Sequence, residues 1–152
     1  MYSLFARPRE FAASYSLEEL SEGMSAADTV LILSKTIHRI ALASRDYNPI
    51  HFDSKYAENT IFKEPIAHGL IIDGILSYLL GMKLPGKGTI LLKKEVSFYN
   101  PVLIWDTLES KIEIKKIDRE KRNIELRGSS WKDKNTQVAE LYAKVMLDKS
   151  QG

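Results

Sequence analysis

From Thr89 onward, apolar and polar residues alternate with a period of two, in "TILLKKEVSFYNPV", "DTLESKIEIKKI", "NIELRGSSW" and "TQVAELYAKVMLD". That period puts every second side chain on the same face of an extended chain, so the pattern predicts four half-buried strands. The connections "KIDREKRN" and "KDKN" are short, charged and rich in turn formers, which predicts an antiparallel meander, with Asp118 to Arg122 a solvated hairpin tip. Before Thr89 the periodicity differs. Asp28 to Leu33, "DTVLIL", is β-branched and apolar enough for a first strand that could join the sheet, and "SKTIHRIALAS" carries Ile37, Ile40 and Leu42 at near-helical spacing behind Ser34 as candidate cap. Pro49 stops that helix, and "FDSKYAENTIFKE" has room for one short helix.

The longest apolar stretch runs from Ile66 to Met82, "IAHGLIIDGILSYLLGM", with Pro65 at its entry. His68 and Asp73 interrupt it, and it is slightly short for a membrane span, so it reads as a helix buried on nearly all sides. A sheet with one apolar face and a helix apolar all round can bury themselves only against each other. The predicted class is therefore α+β, with one long helix covered by an antiparallel sheet of about five strands. "LPGKGT" between them is a loop by its proline and glycines.

Composition narrows the function classes. The chain has 152 residues, enough for one domain, and no repeat or linker divides it; residues 1–18 read as a loosely attached extension of a single domain spanning 1–152. A net charge of +2 gives no reason to expect nucleic acid or an acidic membrane surface as partner. The absence of cysteine removes disulfides, thiol nucleophiles and thiolate metal sites, and no other metal-ligand spacing is present. The N-terminus mixes Arg7, Arg9 and Glu10 into its apolar residues and builds no secretory signal, which makes a cytoplasmic location the expectation.

Two stretches could carry chemistry. In "SRDYNPIHF" an aspartate and a histidine stand five positions apart across a proline, so Asp46 and His51 can converge on one bound water, with Asn48 between them to orient the carboxylate. "DYNP" is equally a turn signal, its polar side chains capping local backbone, and the residues alone leave both readings open. In "PIAHGL", Gly69 opens the apolar helix. A helix N-terminus offers unpaired N–H groups and a positive dipole end to an oxygen that becomes negative, and glycine leaves the approach clear; close packing of the sheet is the plain alternative.

Taken together, these residues resemble a family. The signature D-x-N-P-[LIV]-H, five residues, then a small one is met by Asp46, Asn48, Pro49, Ile50, His51 and Ala57, and "PIAHGL" follows downstream. The chain closely resembles the (R)-specific enoyl-CoA hydratases, MaoC-like dehydratases of the hot-dog fold, over roughly Leu20 to Asp148. The resemblance implies a hot-dog domain with an overhang from about Asn48 to Lys63, assembled as a homodimer or higher oligomer. It also implies reversible hydration of trans-2-enoyl thioesters, carried by coenzyme A or acyl carrier protein, to (R)-3-hydroxyacyl thioesters. Asp46 and His51 would hold and activate the water, the Gly69 N–H would polarise the thioester carbonyl, and Ser77 would support the site, the resembling enzymes having serine there; that chemistry needs neither a metal nor an organic cofactor, so none is expected.

Several residues qualify that match. Arg45 stands where the family has glycine, in a position whose backbone angles an arginine resists. His68 is usual before the glycine and reads as structural. Asp73 shares a helical stripe with Gly69 and Ser77, where the family has a small residue; it enters the polar network, narrows the acyl tunnel, or pairs with a strand or partner subunit. Lys83, Lys87, Lys93 and Lys94 are candidates for the carrier's phosphates. "GMKLPGKGT" nearly spells a phosphate-binding loop, but Gly88 replaces its hydroxyl residue, and helix–loop–strand reverses the order such a loop requires. A hot-dog acyl-thioesterase and a non-catalytic acyl-thioester-binding domain remain as rivals, the first disfavoured by the intact Asp46, Asn48 and His51 spacing.

Overall fold

The computed structural model describes residues 11–148. Strand β1 (Ser25–Leu31) leads to helix α1 (Ser34–Ser44); a 3₁₀ turn at Pro49–His51 and a short helix α2 (Ser54–Glu58) follow. Helix α3 (Gly69–Tyr78) runs on into a wider π turn at Leu79–Lys83, and strands β2 (Thr89–Phe98), β3 (Thr107–Asp118), β4 (Asn123–Lys132) and β5 (Thr136–Leu147) complete the chain. All five strands form one antiparallel sheet in the order β1-β3-β4-β5-β2. This is the α+β hot-dog arrangement, a central helix wrapped by a sheet.

The predicted meander holds for β3, β4 and β5 only. β2 crosses to the far edge and pairs with β5, Ile90 opposite Met146 and Phe98 opposite Ala139, and residues 99–106 make the return. β1 takes the opposite edge against β3. The period-two pattern is realised on the inner face, where Ile112, Ile114, Ile124, Leu126, Val145 and Leu147 are fully buried. Against them α3 and its π turn set Ile71, Ile75, Leu76 and Leu79. Burying one such aliphatic side chain is worth about 1.5–3 kcal/mol, so this contact dominates the fold's stability.

Three local expectations need correction. Ser34 does not cap α1: Leu33 holds the N-cap position without a side-chain bond, and Ser34 is already helical. α3 begins at Gly69 and not near Ile66, because His68 is extended (φ −63°, ψ 137°) and the Ile66 carbonyl, which a helix would use, accepts from His51 Nδ1 at 2.7 Å. Nor is α3 buried all round, since Leu70, Gly74 and Ser77 are exposed along one stripe. Residues 1–10 of the expected extension lie outside the described residues. Its later part is tied in: Ser14 bridges to Gly86, Lys87 N–H donates to Ala13 O, and Leu17 is buried in the core. Gly86 has φ +86, and a Cβ there would strike Ala13 O, so the "LPGKGT" loop requires this glycine to receive the N-terminal segment.

Candidate active site

α1 ends at Arg45, whose φ of 62° and ψ of 19° are left-handed, and the chain turns out of the helix there. That turn delivers Asp46. The backbone N–H of Asn48 donates to Asp46 Oδ1 at 3.1 Å, while the Asn48 side chain accepts from Ile50 N–H at 3.2 Å and caps the 3₁₀ turn. Asn48 thus orients the carboxylate through its backbone and not, as expected, through its side chain. Pro49 at the start of the turn fits the fixed φ of proline, and one turn later His51 points back toward the aspartate.

The tautomer of His51 follows from its partner. His51 Nδ1 lies 2.7 Å from Ile66 O, and a carbonyl oxygen only accepts, so Nδ1 carries the proton and Nε2 keeps its lone pair. Nε2 faces Asp46 Oδ2 at 3.8 Å. Two acceptors at that separation do not bond directly, but one water at hydrogen-bond distance from each, about 2.8 Å, can donate to both at an angle of roughly 90°. Its oxygen lone pairs are then turned outward, as a nucleophile requires.

His68 belongs to the same cluster. Its ring stacks on that of His51, centroids 3.6 Å apart and planes at 27°, and its Nε2 is 3.0 Å from Asp46 O. In the sequence it reads as structural, because a histidine before the glycine is usual in the resembling family, and seventeen positions from His51 no local spacing links the two. Asp46, His51 and His68 have ligand atoms within 4.8 Å of one another, the residue set of a metal triad. The lone pairs do not converge, however. His68 Nε2 must bear a proton to bond the Asp46 carbonyl, which leaves its lone pair on the other ring nitrogen, and two stacked rings cannot both aim at one ion about 2.1 Å away.

Gly69 is the first residue of α3, and its N–H has no partner within the helix. It follows His68 directly and lines a cleft of ≈ 420 Å³ with Phe62, Ile66, Ile72, Phe98 and Val102. A Cβ at Gly69 would lie 3.0 Å from Phe98 Cζ, so a side chain there would crowd the cleft. Tyr99, also on the cleft wall, donates to Glu140 Oε2 at 2.8 Å, which holds the Glu140 carboxyl below and the Tyr99 hydroxyl above their ordinary values.

The other candidates lie further out. Asp73 does not reach the Asp46 cluster: its Oδ1 is 2.8 Å from Lys94 Nζ on β2, at ion-pair distance but without the alignment of a hydrogen bond, so the pairing across to a strand is the alternative realised. Ser77 is exposed two turns along the helix. Of the lysines considered for a carrier's phosphates, Lys94 is engaged by Asp73 and Lys93 by Glu95 at 2.7 Å; Lys83 stands over the Tyr78 ring, and Lys87 is exposed. No helix among the described residues is long and apolar enough to cross a membrane.

With this geometry in hand, similarity to known proteins is informative. The (R)-specific enoyl-CoA hydratase of Rhodospirillum rubrum is 36% identical over 110 residues, 72% of this chain and 76% of that protein. That of Aeromonas caviae is 34% identical over 106 residues, 70% of this chain and 79% of that protein. The solved (R)-hydratase from A. caviae, described as involved in PHA biosynthesis, superposes with a TM-score of 0.82 at 30% identity, covering 86% of this chain and 99% of that one. Residues 16–136 match the family model for the MaoC like domain. On that match and those identities, the chain belongs to the MaoC-like domain family.

Proposed function

We propose that this protein is a hydro-lyase that reversibly adds water to trans-2-enoyl thioesters, giving (R)-3-hydroxyacyl thioesters. The observation that carries the reading is the pair of acceptors, Asp46 Oδ2 and His51 Nε2, facing each other at 3.8 Å beside a helix N-terminus that opens onto an apolar cleft. The acyl chain lies in the cleft and the thioester oxygen accepts from Gly69 N–H, where the helix dipole and the free donor stabilise the enolate that forms. The water between Asp46 and His51 adds through its oxygen to C3 as His51 Nε2 takes one of its protons. The cluster then returns a proton to C2, so that H and OH are both transferred and the site regains its starting state. The thioester bond is not broken, which separates this reaction from a thioesterase's.

Crotonyl-CoA is the first substrate to test, followed by loss of enoyl absorbance and chiral analysis of the product. (R)-3-hydroxybutyryl-CoA is the expected product, and Asp46→Asn and His51→Ala should each lower kcat by about 10²–10⁴-fold with the fold intact. Free coenzyme A as product would replace the reading with a thioesterase. Binding without turnover, on either carrier and at any chain length, would leave a non-catalytic acyl-binding domain.

The active form is proposed to be a homodimer. β2 is an edge strand, and Ile90, Leu91, Leu92 and Phe98 on it, with Leu70 on α3, are large apolar residues left exposed. A long apolar edge is a template for pairing with another strand.

A further inference from the structure

Resting on the hydratase reading, we infer that His68 is a positioning residue that fixes Asp46 and His51 together, through a hydrogen bond to one and a ring stack on the other. His68 occupies the N-cap of α3 but makes no side-chain cap there. Instead the side chain, 3% exposed, reaches back 22 positions to the Asp46 carbonyl. The bond fixes the tautomer, since the carbonyl can only accept. It leaves Nδ1 buried with no partner, an unfavourable arrangement that a phenylalanine or leucine filling the same space would avoid. An apolar residue would serve packing better, so the nitrogen serves the bond to Asp46.

Both neighbours need such support. Asp46 follows the left-handed Arg45 outside any helix or strand, and its side chain is 50% exposed. Its backbone N–H has Ser44 Oγ at 3.3 Å, a long bond, and the firmer hold is at its carbonyl. His51 is anchored at Nδ1 by Ile66 O, a single contact about which the ring can still tilt. The His68 face at 3.6 Å removes that freedom, and Phe52 stands edge-on to both rings, centroids 6.3 Å from His51 and 5.9 Å from His68. One buried ring therefore sets the distance between the two acceptors that hold the water.

His68→Phe keeps the stack and loses the donor; His68→Gln loses the ring but extends an N–H to about the place of Nε2. His68→Phe should lower kcat by about 10–100-fold with KM within two-fold and melting temperature little changed, and His68→Gln, which restores the donor but not the stack, should recover part of the loss. If His68→Phe does not fold, His68→Asn, too short to reach the carbonyl, takes its place against His68→Gln. Wild-type kcat in the donor-less variant, or equal loss in both variants, would overturn the assignment. A second readout does not depend on turnover: ¹⁵N signals of the His51 imidazole should show the same sharp Nδ1–H form in wild type and in His68→Phe, which keeps the stack, and broadened lines in His68→Gln, which loses it. Should wild-type protein hydrate nothing, the functional reading fails, while identical His51 signals in wild type and His68→Gln would sink the positioning role by itself.

Discussion

Arg45 shows how a single position can be legible in sequence for its strain and not for its purpose. Its left-handed angles (φ 62°) cost a residue with a Cβ about 1–2 kcal/mol, yet the turn they make is what brings Asp46 off the end of α1 and under His68. Glycine would remove that strain but loses more chain entropy on folding, about 0.5–1 kcal/mol, so the two effects partly cancel. Arg45→Gly should accordingly raise stability by up to ~1 kcal/mol in urea denaturation with kcat unchanged; a fall in stability would mean that the arginine side chain makes contacts that outweigh its backbone. The spacing of Asp46, Asn48 and His51 was readable because all three act within one turn of chain. The contribution of His68 was not, since it depends on where α3 is docked, and the exchange of roles within Asn48, backbone for side chain, depends on a 3₁₀ turn that no periodicity announces.

At the scale of elements, α3 carries the main departure from a purely apolar helix. Gly69, Asp73 and Ser77 share a stripe, and the strand beside it answers residue for residue: Phe98 lies against Gly69 and Lys94 against Asp73. The helix's apolar period was enough to predict that it is the core element, and the two-residue alternation was enough for β2 to β5. Strand order was not, because the crossing of β2 to the β5 edge depends on which edge is free and not on any local pattern. The ion pair bridges α3 and β2 one helical turn beyond Gly69, with Asp73 23% and Lys94 32% exposed. Solvent screening limits its stabilising effect to under about 1 kcal/mol, so its consequence should be one of access rather than of stability. Asp73→Ala is expected to leave unfolding within about 1 kcal/mol of wild type and to raise kcat/KM for medium-chain enoyl thioesters relative to crotonyl-CoA. An unchanged chain-length profile would show that the pair lies outside the acyl path.

For the whole molecule, the surface left open is the β2 edge. The sheet ends there with one side of β2 unpaired among the described residues, and the strand bulges between Leu91 and Lys93, so that Ile90, Leu91 and Leu92 are exposed in succession. Natural edges are usually shielded by charge, proline or cover; this one pairs its charges internally, Lys93 with Glu95 and Lys94 with Asp73, which leaves the apolar groups as the available surface. A second copy meeting this edge about a two-fold axis would present the same strand in return, extend the sheet through its backbone groups and cover Leu70 on α3. The cleft beside Gly69 is walled by Phe98 of that same strand, so pairing at this edge would couple assembly to catalysis through β2. Light scattering on the purified protein should give twice the mass of the chain at micromolar concentration. Leu91→Lys with Leu92→Lys should shift the mass toward the monomer and lower kcat/KM by about tenfold or more, since a wall of the cleft loses its support. A variant that becomes monomeric but keeps full turnover would uncouple the two, and one that stays dimeric would move the interface to another face of the sheet.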